Sequence, residues 1–213
     1  MIVLGAGGHA IEILDVLLAK GYGGNIIFFD DTQKGPTNIL GKYLVLDSFL
    51  SLERQMASDQ HFVIGVGDPQ LRFTFYNKVR SIGGVHCGLR SDKALVSSNV
   101  GNVADADIFP FCFVGPKVNI GTGSLINARA SLHHETEVGN FTVISPSATV
   151  LGSAIIGDFC FIGAGAVILP KIKVGSHVVV GAGSIVTKNI PDNAIVFGVP
   201  GEVKGKVEPI DLM

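Results

Sequence analysis

The sequence predicts two architectures in one chain, an α/β unit over residues 1–90 and a β-helix of six-residue turns over residues 91–213. Two observations carry this. Up to about residue 90, short apolar runs alternate with amphipathic stretches; beyond it, aliphatic residues recur every six positions without interruption. A third observation narrows the class. The formal net charge is -2, which gives no electrostatic footprint for nucleic acid. The mean hydropathy is positive, +0.46, yet no apolar run approaches the roughly 20 residues of a spanning helix, so no membrane insertion is predicted. The opening "MIVLGAGG" has no basic region ahead of its apolar core, which argues against a signal peptide. Cys87, Cys112 and Cys160 have no C-x-x-C spacing and cannot all pair within the chain. A reducing, cytoplasmic location is therefore predicted.

In the first unit "MIVLG" reads as a strand. "HAIEILDVLLAKG" reads as a helix with Ile11, Leu14, Leu17 and Leu18 on one face and Gly21 as its stop. "NIIFFDD" is a second strand, and Ser48 is placed to cap a helix running to about Met56. "HFVIGVGD" is a third strand. Asp68-Pro69 reads as an N-cap followed by proline in the first turn, and "VHCGL" as a fourth strand. Strands alternating with helices predict a parallel sheet.

In the second unit the aliphatics fall at Ile108, Val114, Ile120, Ile126, Leu132, Val138, Ile144, Val150, Ile156, Ile162, Ile168, Val174, Val180 and Val186. Glycine often follows the aliphatic. Two residues before it stands a small side chain, as at Ala106, Cys112, Ser124, Ala130, Ala148, Ala154, Cys160 and Ala166. Period six is neither helical nor simple strand alternation; it marks hexapeptide repeats coiling as a β-helix. Three hexads close a triangular coil, so residues eighteen apart stack at the sheet spacing of about 4.8 Å.

Within this frame "SLHHETEVG" is anomalous. Leu132 points inward, which puts His133, His134 and Glu135 at the following turn. Eighteen residues on from His134 is Gly152, and eighteen back is Pro116, so all three share a corner. A glycine one coil above leaves a backbone N–H beside the imidazole, suited to an oxyanion, and the Glu135 carboxylate raises the ring's basicity. The residues alone leave three readings open: polar side chains on a solvent-facing turn, a general base, or a metal ligand. The last lacks a cysteine or a further histidine nearby, and no metal is predicted.

The hexad tract, "LHHETEVGNF", the closing "VTKNIP" and "VFGVPG", and the N-terminal "GAGGHA" together resemble the bacterial hexapeptide-repeat sugar acetyltransferases. These include N-acetyltransferases of nucleotide-linked 4-amino sugars and sialic acid O-acetyltransferases. The resemblance implies a small Rossmann-like domain that binds the nucleotide sugar, then a left-handed β-helix. It also implies a homotrimer with acetyl-CoA lying between neighbouring subunits. The family's base falls on His134 and its acidic partner on Glu135, with Asn127 supporting the pair and Gly152 binding the oxyanion. Contacts to acetyl-CoA fall on Val143, Gly152, Ala164, Ala182 and Lys188; Val143 stands where members often carry a histidine. The family's His-Pro-Ser-Ala junction reads "RSDKA" here, and His133 replaces a common acidic or amide residue.

"GAGGHA" also satisfies G-x-G-x-x-A, with Asp30 twenty residues beyond Ala10, the pattern of a dinucleotide site. About ninety residues, however, leave room for only one mononucleotide-binding half. Gly7, Gly8 and His9 are therefore read as the phosphate or sugar loop at a helix N-terminus. Asp30, Asp31, Gly67 and Asp68 are expected to line the carboxyl edge of the sheet and hold base or ribose. The plainer alternative is that the glycines only allow strand and helix to pack closely. The function so predicted is acetyl transfer to the amine of a nucleotide-linked 4-amino-4,6-dideoxy sugar in bacterial glycan biosynthesis. O-acetylation of sialic acid or another sugar hydroxyl, and a non-catalytic nucleotide-sugar-binding scaffold, are the alternatives.

Overall fold

The computed structural model describes residues 1–32 and 37–207. Two compact units emerge, Met1–Gly67 with Leu71–Cys87, and Asp68–Gln70 with Gly88 onward.

The first is a Rossmann-like α/β unit. Its elements are β1 (Ile2–Leu4), α1 (Gly8–Ala19), β2 (Ile27–Phe29), β3 (Thr37–Ile39), β4 (Tyr43–Leu46), α2 (Phe49–Met56), β5 (His61–Ile64), α3 (Pro69–Arg80) and β6 (Val85–His86). The strands order as β3-β4-β2-β1-β5-β6. All neighbours pair in parallel except β3 with β4. The sheet is thus not purely parallel as predicted: a hairpin over 37–46, where the sequence pattern predicts no element, adds an antiparallel edge. Leu40 and Gly41, both at positive φ (51° and 66°), turn its three-residue loop.

The buried residues of α1 are Ala10, Ile13, Leu14, Val16 and Leu17, while Leu18 is exposed and Ile11 half-buried. This corrects the predicted face. The spacing 10, 13, 14, 17 is itself a complete helical stripe, and Ile11 and Leu18 flank it. Gly21, at φ 72°, ends the helix as expected, with the Tyr22 N–H returning to the Leu17 carbonyl at 3.0 Å in a Schellman closure. Ser48 caps α2 by accepting from the Ser51 N–H, and Pro69 opens α3. Helices α2 and α3 bury Leu52, Met56 and Val79 against Ile2, Leu4, Phe29, Phe62 and Ile64. Among the described residues no helix is long and apolar enough to cross a membrane.

The second unit is a parallel β-helix. After β7 (Leu95–Val96), fourteen two-residue strands run from β8 (Asp107–Ile108) to β21 (Ile185–Val186) at six-residue intervals, and each ends on the aliphatic of its hexad. Register is eighteen throughout: Leu132 pairs with Val114 below and Val150 above. Three sheets result, one per prism face. Every one of the fourteen aliphatics is at most 4% exposed, and each such burial contributes about 1.5–3 kcal/mol.

The small residues two positions earlier are buried as well. At four of these positions a polar hydrogen goes to a carbonyl fifteen residues on: Ser124 to Gly139 (2.6 Å), Thr142 to Gly157 (2.8 Å), Cys112 to Asn127 (3.1 Å) and Cys160 to Gly175 (3.0 Å). The two cysteines therefore serve as small hydrogen-bonding core residues. Burial pushes their thiols up, to about 11 for Cys112 and about 12 for Cys160, away from reactive thiolate. The last coil is extended by β22 (Ala194–Phe197), which pairs with β20 (Val179–Val180) and folds back antiparallel onto β23 (Glu202–Lys206).

Candidate active site

The corner after β12 (Ser131–Leu132) carries His133, His134 and Glu135. Backbone bonds stack it on its neighbours: the Glu135 N–H donates to the Pro116 carbonyl (3.0 Å) and the Ser153 N–H to the His134 carbonyl (2.9 Å). Buried Thr136 closes the turn through its hydroxyl on the His133 carbonyl (2.7 Å). Glu135 itself sits at φ 60°, as do Lys117 and Ser153 in the same column at 57° and 58°.

The imidazole of His134 lies directly over Gly152. A Cβ at Gly152 would stand 2.4 Å from both Cε1 and Nε2 of the ring, closer than any real contact. The column Pro116, His134, Gly152, Pro170 has a further property. Proline is tolerated at two of its positions because the amide of that corner residue takes no part in the intercoil ladder. Among the described residues no acceptor within the chain takes the Gly152 N–H. On its other side His134 presents Nδ1 to Glu135 Oε2 at 3.5 Å. The carboxylate is held below its ordinary range chiefly by the Lys117 ammonium, then by the Ser153 hydroxyl, and further by His134. It therefore stays ionised as pH falls into the usual carboxylate range. His133 turns the other way, its ring 5.5 Å from that of Phe113.

The remaining candidates divide between two edges of the prism. Lys188, two residues past β21, turns the same corner as Gly152, two coils above it, and is exposed. Ala164 and Ala182 stack eighteen apart on the preceding edge, after β17 (Phe161–Ile162) and β20, and both are exposed. Asn127 lies on that preceding edge too, following β11 (Leu125–Ile126). Its Oδ1 accepts from the Ala128 N–H at 2.7 Å. Within one chain, one prism face separates Asn127 from the His134–Glu135 pair. Val143 is 2% exposed in β14 (Val143–Ile144), so its side chain offers no cofactor surface. Alternation along a strand predicts an outward residue there, but this outward position is covered.

In the α/β unit, Gly7 and Gly8 follow β1, Asp30 and Asp31 follow β2, and Gly67 follows β5, while Asp68 groups with the second unit. The chain moves one way from β1 to β2 and the other way from β5 to β6, so the carboxyl ends of β1 and β5 flank a topological switch point, where open α/β sheets bind ligands. The glycines there do different jobs. Gly5, at φ 110°, has the Gly65 carbonyl 2.9 Å from where its Cβ would be, so it serves close packing. Gly7, Gly8 and Gly67 have nothing within 4 Å of theirs, so packing does not require them and they leave an open rim. His9 Nδ1 meets Glu12 at 3.1 Å, and Asp30 Oδ1 accepts from the Thr32 N–H and hydroxyl.

Several participants carry no signal in the sequence pattern. Arg72 is fully buried and donates to the carbonyls of Ile64 (3.2 Å) and Val66 (2.8 Å), fixing the loop after β5. Lys78 pairs with Asp31 at 2.7 Å while lying over the rings of Phe29 and Phe49. Lys117 and Ser153 hold Glu135, at 3.2 and 3.1 Å. The eighteen-residue arithmetic finds these last two when it is applied to Glu135.

The PglD N-terminal domain family matches residues 1–79, and the bacterial transferase hexapeptide family (six repeats) matches residues 153–188. No curated protein matches the chain in sequence. Among solved structures, the chain is similar to the acetyltransferase domain of PglB from Neisseria gonorrhoeae FA1090 in complex with acetyl coenzyme A. The identity is 28% and the TM-score 0.85, over 95% of this chain and 97% of that one. It is also similar to GDP-perosamine N-acetyl transferase from Caulobacter crescentus, as a histidine-to-alanine mutant in complex with CoA and GDP-perosamine. There the identity is 25% and the TM-score 0.86, over 96% of each chain. WeeI from Acinetobacter baumannii AYE, 23% identical with a TM-score of 0.69 over 95% of this chain and 98% of its own, shares the fold.

Proposed function

We propose that this chain, a hexapeptide-repeat sugar acetyltransferase, moves the acetyl group of acetyl-CoA onto the amine of a nucleotide-linked 4-amino-4,6-dideoxy sugar. The observation that carries the reading is the His134 ring seated between the Glu135 carboxylate and the Gly152 amide. With Nδ1–H turned to Glu135, Nε2 keeps its lone pair. The sugar amine attacks the thioester carbonyl carbon, Nε2 accepts the proton that the amine loses, and the Gly152 N–H donates to the oxygen that gains charge. As the C–S bond breaks, the proton passes from Nε2 to the departing CoA sulfur. No covalent acyl-enzyme is required. The relatives crystallised with acetyl-CoA, or with CoA and GDP-perosamine, support both substrates. The open rim of Gly7, Gly8 and Gly67, with His9, Asp30 and Asp31 around it, suits the nucleotide end of the acceptor.

The division of candidates between two prism edges supports a site shared by neighbouring copies in a homotrimer. One copy contributes His134, Glu135, Gly152 and Lys188; the next contributes Asn127, Ala164 and Ala182, whose small exposed side chains give a cofactor close access to the backbone. Complementation tests this. Co-expressed His134→Ala and Ala164→Glu chains, each inactive alone, are expected to recover a fraction of activity in mixed assemblies. No recovery from mixed assemblies, or a fully active monomer by light scattering, contradicts a shared site.

Amine rather than hydroxyl acceptance is tested by comparing kcat/KM for a nucleotide-linked 4-amino-4,6-dideoxy sugar with free and cytidine-linked sialic acid. The amino sugar is expected to be the better substrate, and its acetyl group to survive mild base that strips esters. Equal or better turnover of sialic acid overturns this choice.

A further inference from the structure

Glu135 is gripped from both sides by the coil stacking. Lys117, one coil below, reaches Oε1 at 3.2 Å; Ser153, one coil above, donates to Oε2 at 3.1 Å; and His134 Nδ1 lies 3.5 Å from that same Oε2. The two carboxylate oxygens are thereby given separate tasks. This arrangement is specific to the eighteen-residue register, since the three residues occupy the same left-handed corner position of consecutive coils. It also answers a physical need. The Glu135 side chain is 48% exposed, and a carboxylate so placed swings among solvent-facing rotamers unless something holds it.

We propose that Lys117 and Ser153 are positioning residues, which fix the Glu135 carboxylate with Oε2 towards His134 Nδ1 and so orient the ring with Nε2 over Gly152. This rests on His134 being the base. The two residues act differently. Ser153 orients without adding charge. Lys117 orients and also offsets part of the negative charge that Glu135 presents to the ring, in keeping with its leading part in holding that carboxyl low. The charged and titratable groups around the pair are Lys117 from the coil below, His133 in the same corner and Lys171 further up the column. The coil directly above contributes only Gly152 and Ser153.

The pH profile makes the two roles separable. For Lys117→Met, kcat on the pH plateau is expected to fall roughly tenfold, less than loss of the base itself. Its acid limb should move to higher pH, because an uncompensated carboxylate stabilises the imidazolium. For Ser153→Ala, kcat should fall similarly, with no upward movement of the limb. KM for both substrates should hold in each variant, and Lys117→Arg and Ser153→Thr should restore most of the rate. Thermal unfolding at the parental Tm confirms that the exposed substitutions leave the fold intact. If His134→Ala is inactive while Lys117→Met and Ser153→Ala keep the parental kcat and pH profile, the positioning role is wrong and the base stands. If His134→Ala is itself fully active, the assignment of the base fails instead.

Discussion

The His134→Ala variant is expected to lose about 10²–10⁴-fold in kcat, the usual contribution of a general base, with an unchanged Tm. The stability half follows from the ring's position. The His134 side chain is 62% exposed on a corner, outside the prism core, and surface substitutions of that kind stay within about 0.5 kcal/mol. His133→Ala is the internal control. Its ring packs beside Phe113 rather than over Gly152, so its loss should be small. Steady-state kinetics on the two variants decide between the histidines, and equal losses would mean that the wrong one has been assigned.

Gly152→Ala is expected to cost about 10²–10³-fold in kcat, within the range for losing a general base, because its methyl displaces the His134 ring. The added methyl collides with Cε1 and Nε2 at 2.4 Å. The ring has to swing off Gly152, which separates it from Glu135 and puts a side chain where the amide is needed. Because the collision is with the end of a side chain, the coil itself is expected to hold, as unfolding curves can check. A double-mutant cycle sharpens the point. Once His134→Ala has removed the ring, Gly152→Ala should cost far less than it does in the parent, because the collision that displaces the base is gone. Fully additive losses in the cycle would show that the ring and Gly152 act independently.

The coil is legible in the amino-acid sequence because a prism allows so few choices. Each two-residue strand must place one aliphatic inward, so residues from Ile108 to Val186 announce the coil and fix the eighteen-residue register. That register alone sets His134 beneath Gly152. The misses have equally local causes. The β3–β4 hairpin is turned by Leu40 and Gly41, and only the glycine signals a turn. Arg72 carries no signal in the sequence, since nothing there reports the two carbonyls that receive it. Val143 obeys strand alternation yet is buried, because periodicity says which side a residue faces and not what covers that side.

The central claim is that the corner of His134, Glu135 and Gly152 transfers acetyl directly to a sugar amine. Release of free CoA, followed with a thiol reagent, tests it most directly. Acetyl-CoA and the protein alone should yield only a slow background, and adding a nucleotide-linked 4-amino-4,6-dideoxy sugar should release one CoA per amide formed. Absence of CoA release with any such acceptor that the protein demonstrably binds would contradict catalysis and leave a nucleotide-sugar-binding scaffold.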